Sequence, residues 1–158
     1  MSSTCASATG ATTDAPASLH SRNLGNLINY LASRIMDVEQ LIYEVRGAAM
    51  EVYKFFGPGL LESVYEKALI RELELRGYEA KTQIPAPIVY KGAVVGDDLR
   101  IDILVEDELI VELKSVEEFK PIYYKQLRTY LKLMNKDEGL LINFGEYDFK
   151  KGMRRIAL

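Results

Sequence analysis

The length, composition and charge of this chain limit the functions it can have. Its 158 residues, 48% hydrophobic and 27% charged, fit one globular domain with a tail. The single cysteine, Cys5, cannot form an internal disulfide. The single histidine, His20, lies outside the patterned part of the chain, which excludes a His-based catalytic triad and a zinc site of His and Cys ligands. The net charge of −3 argues against coating nucleic acid by bulk electrostatics. From Lys114 onward, however, ten basic and six acidic residues give a local excess of positive charge that is suited to binding phosphate. A solvated charged surface is the commoner explanation for such a run.

The chain divides into a tail and a patterned region. Residues 1–22 are rich in Ser, Thr and Ala and predict a disordered leader, and scattered apolar residues in 23–36 favour a short helix. The leader has neither a basic start nor an apolar core, and no apolar run is long enough to cross a bilayer. We therefore expect a cytoplasmic protein without membrane partners, with its folded domain over residues 37–158.

Two amphipathic helices are predicted at the start of this domain. Asp37 and Gln40 form a capping pair, and apolar residues then recur at helical spacing up to Gly57. A second helix follows the break at Gly57-Pro58-Gly59 and ends at Gly77. Its predicted apolar face consists of Leu61, Val64, Tyr65, Ala68, Leu69 and Leu73.

Strands are predicted next, followed by one more helix and two strands. Residues 79–90 are extended, and Pro85 and Pro87 make them an edge or bent strand; Tyr90-Lys91-Gly92 would turn the chain into the following hairpin. A helix begins at Pro121. Its predicted apolar face consists of Tyr123, Leu127, Tyr130, Leu131 and Met134. Buried and final strands over 139–144 and 153–158 complete an α/β sandwich around a mixed sheet.

The hairpin over 99–115 is the most informative segment. Two β-branched runs flank an acidic break at Glu106–Glu108. If these three residues form the loop, Val105 pairs with Leu109 and Asp102 lies opposite Glu112. Because side chains alternate faces, Asp102, Glu112 and Lys114 then share one face. The apolar residues Ile101, Ile103, Val111 and Leu113 would point to the other.

Two facing carboxylates beside an amine suggest metal-assisted phosphodiester chemistry. Like charges on adjacent strands repel, and a hard cation such as Mg²⁺, which takes carboxylate oxygens, would offset the repulsion. A nearby lysine can stabilise developing negative charge. Two other interpretations remain open at this point. A two-residue loop would send Asp102 and Glu112 to opposite faces, and an exposed hairpin would pair the acids with Arg100 and Lys114.

Several motifs in order resemble one family. Gly59-Leu-Leu-Glu62-Ser-Val-Tyr65 resembles the naming motif of the GxxExxY proteins, a branch of the PD-(D/E)xK nuclease-like fold. The resemblance extends over roughly residues 38–156. The further blocks that carry it are residues 87–92, 100–102, 111–114, 126–131 and 140–144. It implies a restriction-endonuclease-like αβββαβ core with a mixed central sheet flanked by helices, preceded by an extra N-terminal helix.

The resemblance also implies roles for individual residues. Asp102 and Glu112 would be ligands of Mg²⁺ or Mn²⁺, and Lys114 would orient the attacking water or stabilise the phosphate. Glu62 would complete the acidic cluster, although a glutamate in the first helical turn is also favoured by the helix dipole. Gln126 would be an auxiliary polar residue or an ordinary residue at the border of its helix.

The predicted function is a metal-dependent nuclease acting on DNA or RNA. Lys125, Arg128 and Lys132, on the polar side of the third helix, are the candidate nucleic-acid contacts. The alternative is a module that binds nucleic acid or protein on the same fold without cutting it. One departure from the family concerns this choice. Many members carry a histidine where this chain has Tyr123, whose place on the apolar stripe favours a core role.

Overall fold

The computed structural model describes residues 38–158. The predicted leader, the predicted helix over 23–36 and the capping residue Asp37 lie outside the described residues, so they stay predictions. The described helices are α1 (residues 38–56), α2 (Glu62–Leu75) and α3 (Pro121–Met134). The strands are β1 (Ala80–Pro85), β2 (Ile88–Tyr90), β3 (Ala93–Gly96), β4 (Arg100–Val105), β5 (Leu109–Lys114), β6 (Glu138–Asn143) and β7 (Met153–Ala157).

The turn between α1 and α2 is stabilised by one tyrosine hydroxyl. Gly57 and Gly59 adopt φ angles of 66° and 111°, which glycine reaches without steric cost. The buried Tyr65 donates its hydroxyl hydrogen to the Gly57 carbonyl at 2.6 Å and accepts the Leu60 N–H at 3.1 Å. Tyr65 therefore fixes where α2 begins, and with it the position of Glu62.

Five strands form one mixed sheet in the order β1-β4-β5-β6-β7. The pairing of β5 with β6 is parallel, and the other pairs are antiparallel. This arrangement confirms the predicted mixed sheet and puts β5 at its centre. The prolines of the 79–90 segment accordingly fall on or after β1, an edge strand where a missing N–H is tolerated.

The predicted register of the β4–β5 hairpin is confirmed. Val105 pairs with Leu109 and Ile103 with Val111, across a turn over residues 106–108. Glu106 and Asp107 both have φ near 52°, and Glu108 donates its backbone N–H to the Val105 carbonyl at 2.9 Å. The three-residue loop therefore excludes the alternative in which a shorter loop shifts the register by one residue.

The segment between β1 and β4 differs from the prediction. The turn at residues 90–92 joins β2 to β3, which pair with each other in a separate two-stranded sheet, instead of leading directly into β4. Val89, Tyr90, Val94 and Val95 are exposed, so this small hairpin has too little buried apolar surface to show a clear strand pattern.

Two apolar clusters cover the faces of the five-stranded sheet. The first cluster packs α1 and α2 against Ile103, Val105, Val111 and Leu113, and the second packs α3 against Leu104, Ile110 and Leu141. Helices thus lie on both faces, as predicted. No helix within residues 38–158 combines the length and the apolar character needed to span a membrane.

Three apolar side chains lie elsewhere than predicted. Leu61 and Val64 are exposed, because Leu61 precedes the first turn of α2 and the buried stripe runs through Tyr65, Leu69 and Leu73. Ile101 belongs to the second cluster and not to the face of Ile103. The alternation is interrupted between Ile101 and Ile103, beside Gln83 of β1, which has φ near 52°.

Candidate metal centre and nucleic-acid interface

The centre of the sheet carries two carboxylates and an amine. Asp102 lies in β4, and Glu112 and Lys114 lie in β5. By alternation from Ile110, Glu112 and Lys114 point to the face covered by α3. Glu112 is 1% exposed and Lys114 is partly buried, so the interpretation of these acids as an exposed surface hairpin is wrong.

Each charged group has a partner within the hairpin. Asp102 Oδ2 accepts the backbone N–H of Leu113 at 2.8 Å, and Glu112 Oε1 lies 2.7 Å from Lys114 Nζ. Lys114 also donates to the Leu113 carbonyl at 2.6 Å. The second oxygen of Glu112, Oε2, is buried and has no hydrogen-bond partner among residues 38–158. A buried carboxylate oxygen in that state is costly, which makes Glu112 the least satisfied group of the site.

Helix α2 brings a third acid to this site. Glu62 is its first residue, and its Oε1 lies 4.0 Å from Lys114 Nζ. The Ser115 hydroxyl donates to the Leu60 carbonyl at 2.7 Å, which ties the end of β5 to the start of α2. The Glu62 side chain is 44% exposed, so this acid is the part of the cluster open to solvent.

Burial controls the protonation of the acids. It raises the pKa of Glu112 to about 7, helped by the negative charge of Asp102 and opposed by Lys114. Burial also raises the pKa of Asp102 and of Glu62. For Lys114, burial acts to lower the pKa, but the attraction of Glu112 and the other two acids outweighs it and the pKa is raised. Lys114 therefore stays protonated at neutral pH.

Helix α3 contributes two tyrosines that the sequence pattern assigned only to the core. The Gln126 amide donates to the Tyr130 hydroxyl at 2.9 Å, and the charges of Glu112, Asp102 and Lys114 all act on the pKa of that hydroxyl. Burial is the main reason that this pKa is raised. Lys114 Nζ lies 5.5 Å from the centre of the Tyr123 ring, within cation–π range. Gln126 thus bonds to Tyr130, and the spacing of four residues between them was the signal that could have shown this pair.

The three predicted nucleic-acid contacts lie outside this cluster. Lys125, Arg128 and Lys132 are exposed on α3, whereas Tyr123 and Tyr130 turn toward the sheet. The structure thus brings Glu62, Asp102, Glu112 and Lys114 together and leaves the basic residues at the surface.

The donor set fits a hard divalent cation. Over residues 38–158, no three Asp, Glu, His or Cys side chains are grouped so that they could hold a metal ion. Magnesium needs fewer protein ligands, because it is commonly bound through one or two carboxylates together with water and phosphate oxygens. The unpartnered Oε2 of Glu112, near the negative charge of Asp102, is the kind of oxygen that such a cation takes.

A family model agrees with this arrangement of fold and acids. The model described as the PD-(D/E)XK nuclease superfamily matches residues 39–156, about three quarters of the chain. The chain belongs to the PD-(D/E)XK nuclease superfamily. Its helices and mixed sheet are accordingly a restriction-endonuclease-like α/β fold with an N-terminal helix, and nucleases of this superfamily generally depend on divalent metal ions. The narrower resemblance to the GxxExxY proteins stays a prediction. No match was found among curated proteins or among solved structures.

Proposed function

We propose that this superfamily member is a Mg²⁺- or Mn²⁺-dependent nuclease that hydrolyses phosphodiester bonds of nucleic acid. The observation that carries the proposal is the buried, unpartnered Oε2 of Glu112 in the central strand, on a carboxylate that also feels the charge of Asp102. Asp102 and Glu112 would hold the cation. When bound, it would supply Lewis-acid stabilisation of the negative charge on the phosphate oxygens.

Lys114 acts as a fixed positive charge. Its pKa is raised, so it cannot serve as a neutral base, and its ammonium group lies between Glu112 and Glu62 at 2.7 and 4.0 Å. In the hydrolysis a water oxygen bonds to phosphorus while the P–O bond to the leaving alkoxide breaks, the water loses a proton and the alkoxide takes one up. A charge held this way costs no reorganisation as negative charge builds up on the phosphate during this step. Lys114 thus stabilises the transition state and orients the water, while the half-exposed Glu62 completes the acidic cluster on the solvent side.

Cleavage of simple polymers tests this function. Purified protein is incubated with single- and double-stranded DNA and RNA and Mn²⁺, and products are separated on a gel. We expect cleavage by the wild type and a loss of roughly 100-fold or more in Lys114→Ala. Lys67→Ala removes an exposed lysine from α2 and is the matched control, with cleavage as in the wild type. Cleavage that survives Lys114→Ala would rule out the role of that lysine.

A binding module without catalysis is the second candidate, and a specific observation favours it. Asp102 already accepts the Leu113 N–H and Glu112 already pairs with Lys114, so both charges have protein partners without a cation. Such a module would bind nucleic acid through Lys125, Arg128 and Lys132. Tight binding without cleavage, unchanged in Asp102→Asn, would support the module.

A further inference from the structure

A cavity of about 460 Å³ lies between α3 and β7, apart from the acidic cluster. It is lined by Phe119, Pro121, Tyr124, Lys125, Arg128 and Ile156. The rings of Phe119 and Tyr124 meet edge to face, with centres 5.8 Å apart. The Arg154 guanidinium lies 5.7 Å from the centre of the Phe119 ring. The wall of this cavity is therefore aromatic, and cations surround it.

The cations in and beside this cavity have no acidic partner in the part of the chain that the structure describes. Lys125, Arg128 and Arg154 form no ion pair with any residue in the described part of the chain, and none of the six lining residues is acidic. Other described basic residues, among them Arg76, Lys81 and Arg155, pair with carboxylates. The unpaired charges are complementary to an anion such as a phosphate.

The cavity lies on the same side of the sheet as the proposed catalytic residues. Phe119, Tyr124 and Ile156 pack against the second cluster, the cluster under α3 to which Glu112 also points. Strand β7 is two positions from β5 in the sheet, and Arg154 is level with Glu112 through Leu141, so these two residues are roughly 10 Å apart at about 4.8 Å per strand. A strand of nucleic acid with its phosphate near Lys114 could therefore place a neighbouring base at Phe119 and Tyr124.

We propose that this cavity is a base-binding subsite that takes an unpaired nucleobase and its adjoining phosphate, and that the nucleic acid bound by this protein is single-stranded. Aromatic rings stack with bases of any sequence, while Lys and Arg hold the backbone, and this pairing of features is how proteins bind single strands. Bases inside a duplex are stacked on each other and cannot enter. The inference rests on the proposed function only for its choice of nucleic acid as partner.

Binding without cleavage tests the subsite. Fluorescein-labelled dT12, the same strand with abasic sites, and a dT12–dA12 duplex are titrated with the full chain in EDTA, and anisotropy is measured. We expect dT12 to bind about tenfold more tightly than either the abasic strand or the duplex. Tyr124→Leu keeps apolar volume but removes the ring, and should weaken dT12 binding about fivefold or more while leaving the abasic strand unaffected. Arg128→Gln should weaken the binding of both strands and make their affinity less dependent on salt concentration.

Matched controls lie on the opposite face of the sheet. Tyr43 and Arg46 are exposed residues of α1, so Tyr43→Leu and Arg46→Gln make the same changes away from the cavity and should bind as the wild type does. Circular dichroism checks that each variant is folded, and the exposed Arg128 remains a test if Tyr124→Leu unfolds.

The outcomes separate this inference from the proposed function. Equal affinity for dT12 and the abasic strand would mean that the surface binds polyanions in general and would overturn the subsite. Equal affinity for the duplex, or a Tyr124→Leu variant that binds as well as the wild type, would also overturn it. A protein that prefers dT12 but cleaves no substrate with Mn²⁺ would overturn catalysis and leave the subsite standing.

Discussion

Replacing Glu112 by glutamine should make the folded protein more stable at alkaline pH. Glu112 is 1% exposed and its folded-state pKa is about 7, against an ordinary value of 4.5. The folded state therefore binds this proton more tightly than the unfolded state does. The stabilisation that the folded state gains from this bound proton is fully present below pH 4.5 and is lost as the pH rises through 7.

The size of the effect follows from these two values. The gap between 4.5 and about 7 corresponds to a loss of about 3 kcal/mol of unfolding free energy in the wild type between pH 4 and pH 8. This figure is net of the Lys114 ion pair, because the attraction of Lys114 already contributes to the pKa of Glu112. Glutamine does not ionise, so the unfolding free energy of Glu112→Gln should rise relative to that of the wild type by about this amount between pH 4 and pH 8.

Urea denaturation at pH 4 and pH 8 without divalent cations measures the difference. Glu117→Gln is the control, because Glu117 is exposed in the loop after β5 and its replacement should change stability by no more than about 0.5 kcal/mol. A gap between Glu112→Gln and the wild type that stays constant from pH 4 to pH 8 would refute the reasoning. It would mean that Glu112 is solvated or fully paired in the folded protein.

Three further predictions concern the metal and the backbone around the site. If Mg²⁺ binds with a Kd of about 1 mM, 10 mM Mg²⁺ should raise the unfolding free energy of the wild type by about 1.4 kcal/mol, measured by thermal unfolding. Asp102→Asn should abolish this gain, and an equal gain in the variant would exclude Asp102 as a ligand. Tyr65→Phe should cost about 1–2 kcal/mol in urea denaturation, since the Gly57 carbonyl and Leu60 N–H lose their buried partner; an unchanged midpoint would contradict this. Gly145→Ala should lower the melting temperature, because the added Cβ would lie 2.3 Å from the Val116 carbonyl oxygen and clash with it. A melting curve like that of the wild type would show that the backbone accommodates the Cβ and would contradict this prediction.

The sequence was sufficient to predict features that depend on local spacing. The β4–β5 register followed from loop length and alternation, and the pairing of Val105 with Leu109 confirms it. The helix ends followed from glycines, as at Gly77, whose φ is 84°. The predicted face of Ile101 was wrong. The alternation breaks beside Gln83, and no residue preference signals a positive φ at a glutamine.

Features that depend on how elements pack together were beyond the sequence. The distance of 4.0 Å between Glu62 and Lys114 results from the packing of α2 against the sheet and from the bond between Ser115 and Leu60, which no spacing within the chain specifies. Tyr130 shows the same limit. Helical periodicity correctly made it a buried residue of α3, but periodicity cannot tell that its hydroxyl lies where the charges of β4 and β5 act on it.

The energetics of the central strand argue that Glu112 is there for chemistry. An apolar side chain at this position would avoid both the desolvation that raises the Glu112 pKa and the buried oxygen without a hydrogen bond. An amide would avoid the cost of burying a charge. The ion pair with Lys114 does not remove the cost, because it satisfies only Oε1. A bound cation would reverse the sign of the contribution, since it favours the ionised carboxylate. Glu112 therefore destabilises the protein alone and should stabilise it with metal, and a merely structural residue would not make this switch.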